Sequence, residues 1–249
     1  MPMTPRQSEA GSRPAHPHPA KAGGDTAFPR DRAAADRVFA HAFDYDAVLR
    51  ALVMDIPCPY LVVENFVPPR VLAHVLALWP EIPSGGSFPR SALEVPPALA
   101  GFLEEFEGPK LKKLIGRKFG LDLEAAPSMV TLRGQTRARD GRIHLDSPSK
   151  WVTLLLYLNP REQAWPDHAG CLRFLNGPHD MEDYEAEIPP YGGTLVAFPN
   201  HPASWHGHRE YVGPRRSVQL NYMHRPQKVV SEKLRHHVSA FFKKHFLSS

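Results

Sequence analysis

Hydrophobic residues in the first half of the chain recur at the spacing of helices. One apolar stripe consists of Val48, Leu49, Leu52 and Val53. Asp46 is a candidate N-cap for this helix. Proline opens the next helix, "VPPRVLAHVLALW", and "PALAGFLEEFEGPKLKKLIGRKFG" predicts two more helical pieces that end at Gly120. A short strand lies in "CPYLVVENF". We therefore predict a helical support region over residues 36–127.

The pattern changes to short strands after residue 127. Seven β-branched or aromatic runs are divided by Gly, Pro, Asn and Asp: "MVTLRGQT", "GRIHLD", "KWVTLLLYLN", "CLRFLN", "GTLVAF", "SWHGH" and "RRSVQLNYM". Because no helix among them is long enough for a crossover, the strands should pair antiparallel, as a sandwich or barrel. The pattern predicts an α+β fold with a mainly β core over residues 128–226.

The two ends of the chain differ from the middle. Residues 1–35 are rich in Pro, Gly, Ala and Ser, which predicts a disordered tail, with a transit peptide as the alternative. Residues 227–249 predict a basic amphipathic C-terminal helix with Val230, Leu234, Val238 and Phe241 on its apolar stripe. That helix is expected to pack on the β core; a membrane surface and a homodimer face are the alternatives.

Composition narrows the class of protein. The formal net charge is +4 over 249 residues, which is too mild to predict a nucleic-acid-binding domain. No apolar segment has the length of a secretory signal or a membrane span. The chain has two cysteines, Cys58 and Cys171, which suits a reducing compartment, so we expect a cytoplasmic protein.

Candidate chemistry concentrates on three segments of the β region. His144 and Asp146 are two positions apart in a predicted strand, so they should face the same way. His206 lies in a later predicted strand. Two imidazoles and one carboxylate on a β scaffold form the facial ligand set of non-haem Fe(II) oxygenases.

The last predicted strand supplies a candidate anion site. One of its faces is polar throughout and consists of Arg215, Ser217, Gln219 and Asn221. Arg215 offers a planar, permanently charged fork for a carboxylate. Ser217 can add a hydroxyl donor to the same anion. A polar row of this kind should line a wet or charged pocket.

Residues 129–222 resemble the catalytic jelly roll (double-stranded β-helix) of the Fe(II)/2-oxoglutarate-dependent oxygenases, in particular the prolyl-4-hydroxylase-like branch. The likeness rests on "HLD", "YLN", "GCLRFL" followed by "PPYGGTLVAF", and "SWHG…RRSVQLNY". It implies that His144, Asp146 and His206 bind iron. It also implies that Arg215 and Tyr157 bind the distal carboxylate of 2-oxoglutarate, while Ser217 matches the pattern of other branches.

The resemblance also implies an activity. The expected cofactor is Fe(II), the cosubstrates are 2-oxoglutarate and O2, and ascorbate is a candidate reductant. The reaction would hydroxylate an unactivated C–H bond of a protein side chain or small molecule and release succinate and CO2. The presence of Asp146 favours hydroxylation, because halogenating relatives lack this carboxylate.

Several alternatives stay open at this stage. His208 lies on the same face as His206 and is the other candidate ligand, while His201, His179 and His168 are interpreted as surface histidines. Where many relatives carry a tyrosine on the strand before the ligand pair, this chain has Arg133 or Gln135, depending on register. The rival functions are a catalytically silent jelly roll that binds a sugar or partner, and a cupin-like metalloenzyme that does not use 2-oxoglutarate.

Overall fold

The computed structural model describes Phe39 and residues 41–224. Residues 1–35 and 227–249, for which we predict a tail and a C-terminal helix, lie outside the described residues. The helices are α1 (Tyr45–Arg50), α2 (Pro69–Ala77), α3 (Pro97–Phe106) and α4 (Pro109–Phe119), with 3₁₀ turns at Arg90–Ala92 and Pro166–His168. The four α-helices between residues 41 and 224 all precede the long strands.

Local sequence accounts for where these helices begin and end. Proline lies at the first helical position of α2, α3 and α4, where its missing N–H removes no helical hydrogen bond. Gly120 ends α4 in the left-handed conformation (φ 64°), which glycine adopts without a steric penalty. In α1 the N-cap is Asp44, whose carboxylate accepts a bond from Ala47 N at 2.8 Å, so the expected cap at Asp46 is wrong. Because α1 ends at Arg50, Leu52 of the predicted stripe is 79% exposed.

Within the part of the chain that the structure describes, nine strands form two antiparallel sheets. They are β1 (Leu61–Val63), β2 (Phe88–Pro89), β3 (Ser128–Thr136), β4 (Lys150–Tyr157), β5 (Leu172–Leu175), β6 (Tyr184–Ile188), β7 (Leu195–Pro199), β8 (His206–Gly207) and β9 (Gly213–Met223). The six-stranded sheet has the order β1-β7-β4-β9-β3-β2, and the three-stranded sheet has the order β6-β5-β8. The predicted mainly β, jelly-roll class is confirmed, as two open sheets rather than a closed barrel.

The two faces of the six-stranded sheet have different neighbours. Alternate residues of β9, Val218, Leu220 and Tyr222, belong to a large core together with the helices, for example with Phe102 and Phe106. On the other face, Tyr157 and Phe198 pack with Phe174 of the small sheet. Since strand residues alternate between faces, Arg215, Ser217, Gln219 and Asn221 point away from the helical core. The polar row therefore faces the side of the small sheet.

One predicted strand is absent. In "GRIHLD", only His144 pairs, through an isolated antiparallel bridge to His206, and the chain turns at Ser147, whose carbonyl accepts a bond from Lys150 N. Conversely, β6 was not predicted, because its sequence "YEAEI" is acidic and its first residues are exposed.

Candidate metal and cosubstrate site

His144, Asp146 and His206 meet in the structure. One potential ligand atom from each lies within 4.8 Å of those from the other two. His144 and His206 exchange both main-chain hydrogen bonds, at 3.0 and 3.1 Å, and their ring centroids are 4.3 Å apart. The convergence therefore comes from a bridge between distant segments and a turn, and not from alternation along one strand.

Both imidazoles are oriented by main-chain carbonyls. His144 Nδ1 lies 2.8 Å from the carbonyl oxygen of Arg142, and His206 Nδ1 lies 2.8 Å from that of Ser204. A carbonyl oxygen only accepts, so Nδ1 must carry the proton in each ring. The neutral ring then presents the lone pair of Nε2, which is the form that binds a metal ion. The donor set thus fits a divalent transition metal.

Burial keeps His206 neutral. Its side chain packs against Phe198, with ring centroids 4.9 Å apart, and the residue is 5% exposed. Burial, followed by the neighbouring charge on His144, lowers the pKa of His206 to about 4. His206 is therefore unprotonated at neutral pH. His144, in contrast, is exposed.

Asp146 is buried and has a partner for each oxygen. Lys150 Nζ donates to Oδ1 at 2.6 Å, and Thr153 Oγ1 donates to Oδ2 at 2.5 Å. Burial alone would raise the pKa of this carboxyl, but the charge of Lys150 and the hydrogen bonds outweigh it and hold the pKa below its ordinary value. Asp146 is thus an ionised carboxylate held in a fixed orientation. The contacts of Lys150 and Thr153 with Asp146 were not predicted from the sequence. Lys150 is the first residue of β4, and the position of Thr153 on the inward face of that strand was the available signal.

Arg215 lies at the opposite end of the same pocket face. Its Nε donates to the carbonyl oxygen of Gly170 at 2.8 Å, and its Nη2 lies 3.4 Å from Tyr157 Oη. Tyr157 is fully buried and pairs across β4 and β9 with Ser217. Burial raises the pKa of Tyr157, against the opposing charge of Arg215, so its hydroxyl keeps its proton and can donate. The structure brings Arg215, Tyr157 and Ser217 together.

Strand β4 extends from one end of the pocket to the other. Thr153, which touches Asp146, and Tyr157, which touches Arg215, are on the same face and four residues apart. At about 3.3 Å per residue, this places their backbones roughly 13 Å apart. Leu155 and Gln219, which pair between them, form the wall between the two ends. The arrangement suits a short, extended ligand with two different polar ends.

His208 does not join the group formed by His144, Asp146 and His206. Its Nδ1 lies 2.8 Å from the carbonyl oxygen of Arg209, and its ring packs tightly on Gly141, where a Cβ would come within 2.3 Å of it. Burial and then the charge of Arg215 lower the pKa of His208 to about 3. His208 is therefore a buried, neutral neighbour of the arginine end of the pocket. His179 and His201 are exposed, as expected.

A second group of potential ligands lies beside the arginine end. It comprises His168, Cys171 and Glu187. The Glu187 carboxylate already accepts a bond from the buried Arg173 guanidinium at 2.6 Å, and it also contacts His168. Burial raises the pKa of the Cys171 thiol to about 11, so it stays protonated. This group is best described as an ion-pair network that supports the small sheet.

The register of β3 distinguishes the positions of Arg133 and Gln135. Arg133 pairs with Ser217, whereas Gln135 pairs with Pro214, and a bulge lies between the two pairs. Arg133 therefore shares the pocket face with Ser217 and Arg215.

Comparison with known proteins shows which family the β region of the chain resembles. Residues 135–224 match the profile of the 2OG-Fe(II) oxygenase superfamily. This part of the chain, which contains His144, Asp146, His206 and Arg215, is thus similar to the 2OG-Fe(II) oxygenases. The family implies Fe(II), 2-oxoglutarate and O2. No curated protein sequence matches the chain significantly.

Similar folds occur among solved structures. A Pseudomonas putida prolyl-4-hydroxylase is 20% identical, with a TM-score of 0.49 over 73% of this chain and 94% of its own. A Trichoplax adhaerens prolyl hydroxylase, in complex with a peptide fragment of hypoxia inducible factor, is 19% identical, with a TM-score of 0.47 over 74% and 90%. A Phytophthora capsici prolyl 4-hydroxylase is 16% identical, with a TM-score of 0.49 over 82% and 68%. In the described part of this chain, every helix is too short or too polar to cross a membrane.

Proposed function

We propose that this oxygenase is a hydroxylase whose iron is held by His144, Asp146 and His206. The observation that carries the proposal is the state of the three side chains. Both imidazoles have their Nδ1 atoms on main-chain carbonyls, so each has Nε2 available beside an ionised, buried carboxylate. When bound, Fe(II) would supply the chemistry that couples decarboxylation of 2-oxoglutarate by O2, which releases succinate and CO2, to hydroxylation of a C–H bond of the substrate.

The chain itself contributes orientation and electrostatics. The carbonyls of Arg142 and Ser204 hold the two rings, and Thr153 holds the carboxylate, so the ligands need little reorganisation when the metal binds. Three ligands on one side leave the remaining positions of the metal for the keto acid and O2. Phe198 and Phe174 shield the His206 side from water.

The other end of the pocket would hold the cosubstrate. Arg215 provides a charged fork, and the protonated hydroxyls of Tyr157 and Ser217 provide two further donors to the distal carboxylate. The combination of Arg215 with Tyr157 in "YLN" also supports the narrower assignment to the prolyl-4-hydroxylase-like branch. The prime substrate in this proposal is a protein side chain or a small molecule that presents an unactivated C–H bond.

Other expectations from the sequence also remain proposals. Residues 128–226 would be the catalytic unit and residues 36–127 its helical support. Ascorbate would serve as reductant for the iron, and the setting would be cytoplasmic. The basic C-terminal helix would pack on the β core, with a homodimer face as the alternative.

Succinate formation tests the proposal directly. Purified protein with Fe(II), ascorbate and 2-oxoglutarate should release succinate, stimulated by the right member of a panel of peptides, amino acids and saccharides. His144→Ala should abolish this release. A catalytically silent jelly roll would neither bind 2-oxoglutarate nor form succinate, and a cupin-like metalloenzyme would bind metal without forming succinate. Succinate formation by His144→Ala at the wild-type rate would refute the ligand assignment.

A further inference from the structure

Arg133 is a second guanidinium on the pocket face, and neither the proposed ligand set nor the carboxylate cradle uses it. It lies on β3 directly across from Ser217, which in turn pairs with Tyr157 of β4 on its other side. Arg215 is two residues before Ser217 on the same face. Paired residues in a sheet have Cβ atoms about 5 Å apart and diagonal neighbours about 7–8 Å apart. Arg133, Tyr157 and Arg215 thus surround the space above Ser217.

The backbone directs Arg133 into this space. The ladder between β3 and β9 is regular up to Arg133 and slips at Gly134, where a bulge begins. A bulge bends its strand and changes the direction of the adjacent side chains. Gly134 packs against Ile82 so closely that a Cβ would come within 2.6 Å of it, which fixes the bulge in place.

Arg133 has no salt-bridge partner among the residues that the structure describes. Its Nε is buried and has no hydrogen-bond partner there. The carboxylates of Asp140 and Asp146 interact electrostatically with Arg133. Each of them already has a hydrogen-bond partner, which is Arg137 for Asp140 and Lys150 for Asp146. Arg133 as a whole is half-buried, but its buried Nε is unfavourable without a partner, because no hydrogen bond compensates the hydration that this atom has lost.

Arg133 and Arg215 are also close enough to repel each other. Burial lowers the pKa of Arg133, and the charge of Arg215 is the next cause. Arg215 Nε donates a hydrogen bond to the carbonyl oxygen of Gly170. The terminal nitrogens of Arg215 therefore face the shared space, where Nη2 contacts Tyr157. Two like charges on one face are stabilised when an anion lies between them.

We propose that Arg133 and Arg215 together bind the distal carboxylate of 2-oxoglutarate above Ser217. This inference rests on the proposed function and extends it: Arg133 is a second guanidinium for the cosubstrate, in addition to Arg215, Tyr157 and Ser217. The position favours the distal carboxylate over the metal-chelating end, because Arg133 is in the row of Ser217 and Tyr157. The row that carries Asn221 and Thr153, next to Asp146, is four residues further along the sheet.

Binding measurements with two keto acids test this inference. Mn(II) replaces Fe(II), so that binding is measured without turnover. 2-Oxoglutarate is compared by calorimetry and by thermal shift with 2-oxopentanoate, which has the same carbon chain and chelating end but no distal carboxylate. The variants are Arg133→Gln, Arg133→Lys and Arg215→Gln. Arg139→Gln, an exposed arginine in the turn after β3, is the matched control.

We expect Arg133→Gln to weaken 2-oxoglutarate binding by roughly ten- to a hundredfold, the usual effect of losing a charged hydrogen-bond donor to a carboxylate. Binding of 2-oxopentanoate should change less than about twofold, since Arg133 would not touch it. Arg133→Lys should show a smaller loss with the same selectivity, because it keeps the charge and loses the fork. This variant tests the inference if Arg133→Gln fails to fold. Arg139→Gln should bind both keto acids like the wild type.

Two results would overturn the role of Arg133. One is unchanged 2-oxoglutarate affinity in both Arg133 variants while Arg215→Gln loses it; the other is an equal loss for the two keto acids. Neither result affects the proposed function. If the wild-type protein itself shows no Mn(II)-dependent binding of 2-oxoglutarate, the proposed function fails, and the two failures are therefore distinguishable.

Discussion

His144 and His206, distant in the sequence, exchange both of their main-chain hydrogen bonds and hold their rings 4.3 Å apart. The bridge extends the small sheet by one residue pair beyond β8, so the two rings are positioned by backbone pairing. Because the backbone and not the imidazoles makes this link, each ring can be removed without breaking the bridge. The two histidines are therefore suited to tests that separate metal binding from folding.

We expect His206→Ala to lose Mn(II) binding and His208→Ala to retain it. The first substitution removes one of three ligands, whereas His208 lies at the arginine end with its Nδ1 on a main-chain carbonyl. The loss should be at least a hundredfold, since two ligands hold a divalent ion poorly. Free Mn(II) measured by paramagnetic resonance reports the binding, and circular dichroism checks the fold. Loss of binding in His208→Ala alone would show that the ligand is misassigned.

Thr153→Val should weaken the metal site without unfolding the protein. Thr153 is buried, and its hydroxyl holds one oxygen of Asp146. Valine keeps the shape and removes the donor, and loss of such a supporting contact lowers metal affinity by roughly 10- to 100-fold. Thr153→Ser keeps the hydroxyl and should bind Mn(II) within a few-fold of wild type. Equal affinities in the serine and valine variants would show that this hydrogen bond does not support the site.

The alternation of polar and apolar side chains along β9 could be predicted, because it is visible directly in the amino-acid sequence. The polar residues Arg215, Ser217, Gln219 and Asn221 share one face in the structure, and Val218, Leu220 and Tyr222 lie in the core on the other. Such a pattern is local: a strand buried on one side needs apolar residues at every second position. The fold class followed from several segments of this kind.

The surroundings of Asp146 could not be predicted in the same way. His144 and Asp146 were expected on one strand, but a bridge to His206 and a local turn at Ser147 position them instead, and the bridge depends on a segment far along the chain. Lys150 was not predicted as a partner of Asp146, because a lysine at the first position of a strand is usually exposed to solvent. Here the turn at Ser147 directs it to Asp146. Such contacts depend on tertiary pairing between distant segments, which cannot be predicted from a single sequence.

Arg215→Ala should raise the 2-oxoglutarate requirement steeply and leave metal binding intact. The guanidinium is buried next to Tyr157 and far along β4 and β9 from Asp146. Removing one partner of a buried charged pair costs about 2–5 kcal/mol, so KM for 2-oxoglutarate should rise by roughly 30-fold or more. The control is Arg216→Ala, the adjacent arginine on the opposite face of β9. Similar KM values for the two variants would contradict the proposed role of Arg215.

Two buried histidines make the metal-free protein sensitive to acid. Burial is the main cause that lowers the pKa of His206 to about 4 and that of His208 to about 3, while in the unfolded chain both have a pKa near 6.5. Below pH 6.5 the unfolded state therefore binds protons that the folded state excludes. Stability falls as the pH decreases from about 6.5 toward the folded pKa values, and the full contribution is present above pH 6.5.

We expect the free energy of unfolding of the metal-free protein to fall by about 2–3 kcal/mol per pH unit between pH 6 and pH 5, since each histidine contributes at most about 1.4. Urea titrations at several pH values measure this slope, with a chelator present to keep the metal away. In His208→Gln, which cannot titrate, the slope should be about half as steep, because His206 alone remains. If the wild-type slope is flat, or if His208→Gln leaves it unchanged, the two rings are not held neutral by burial in the folded protein.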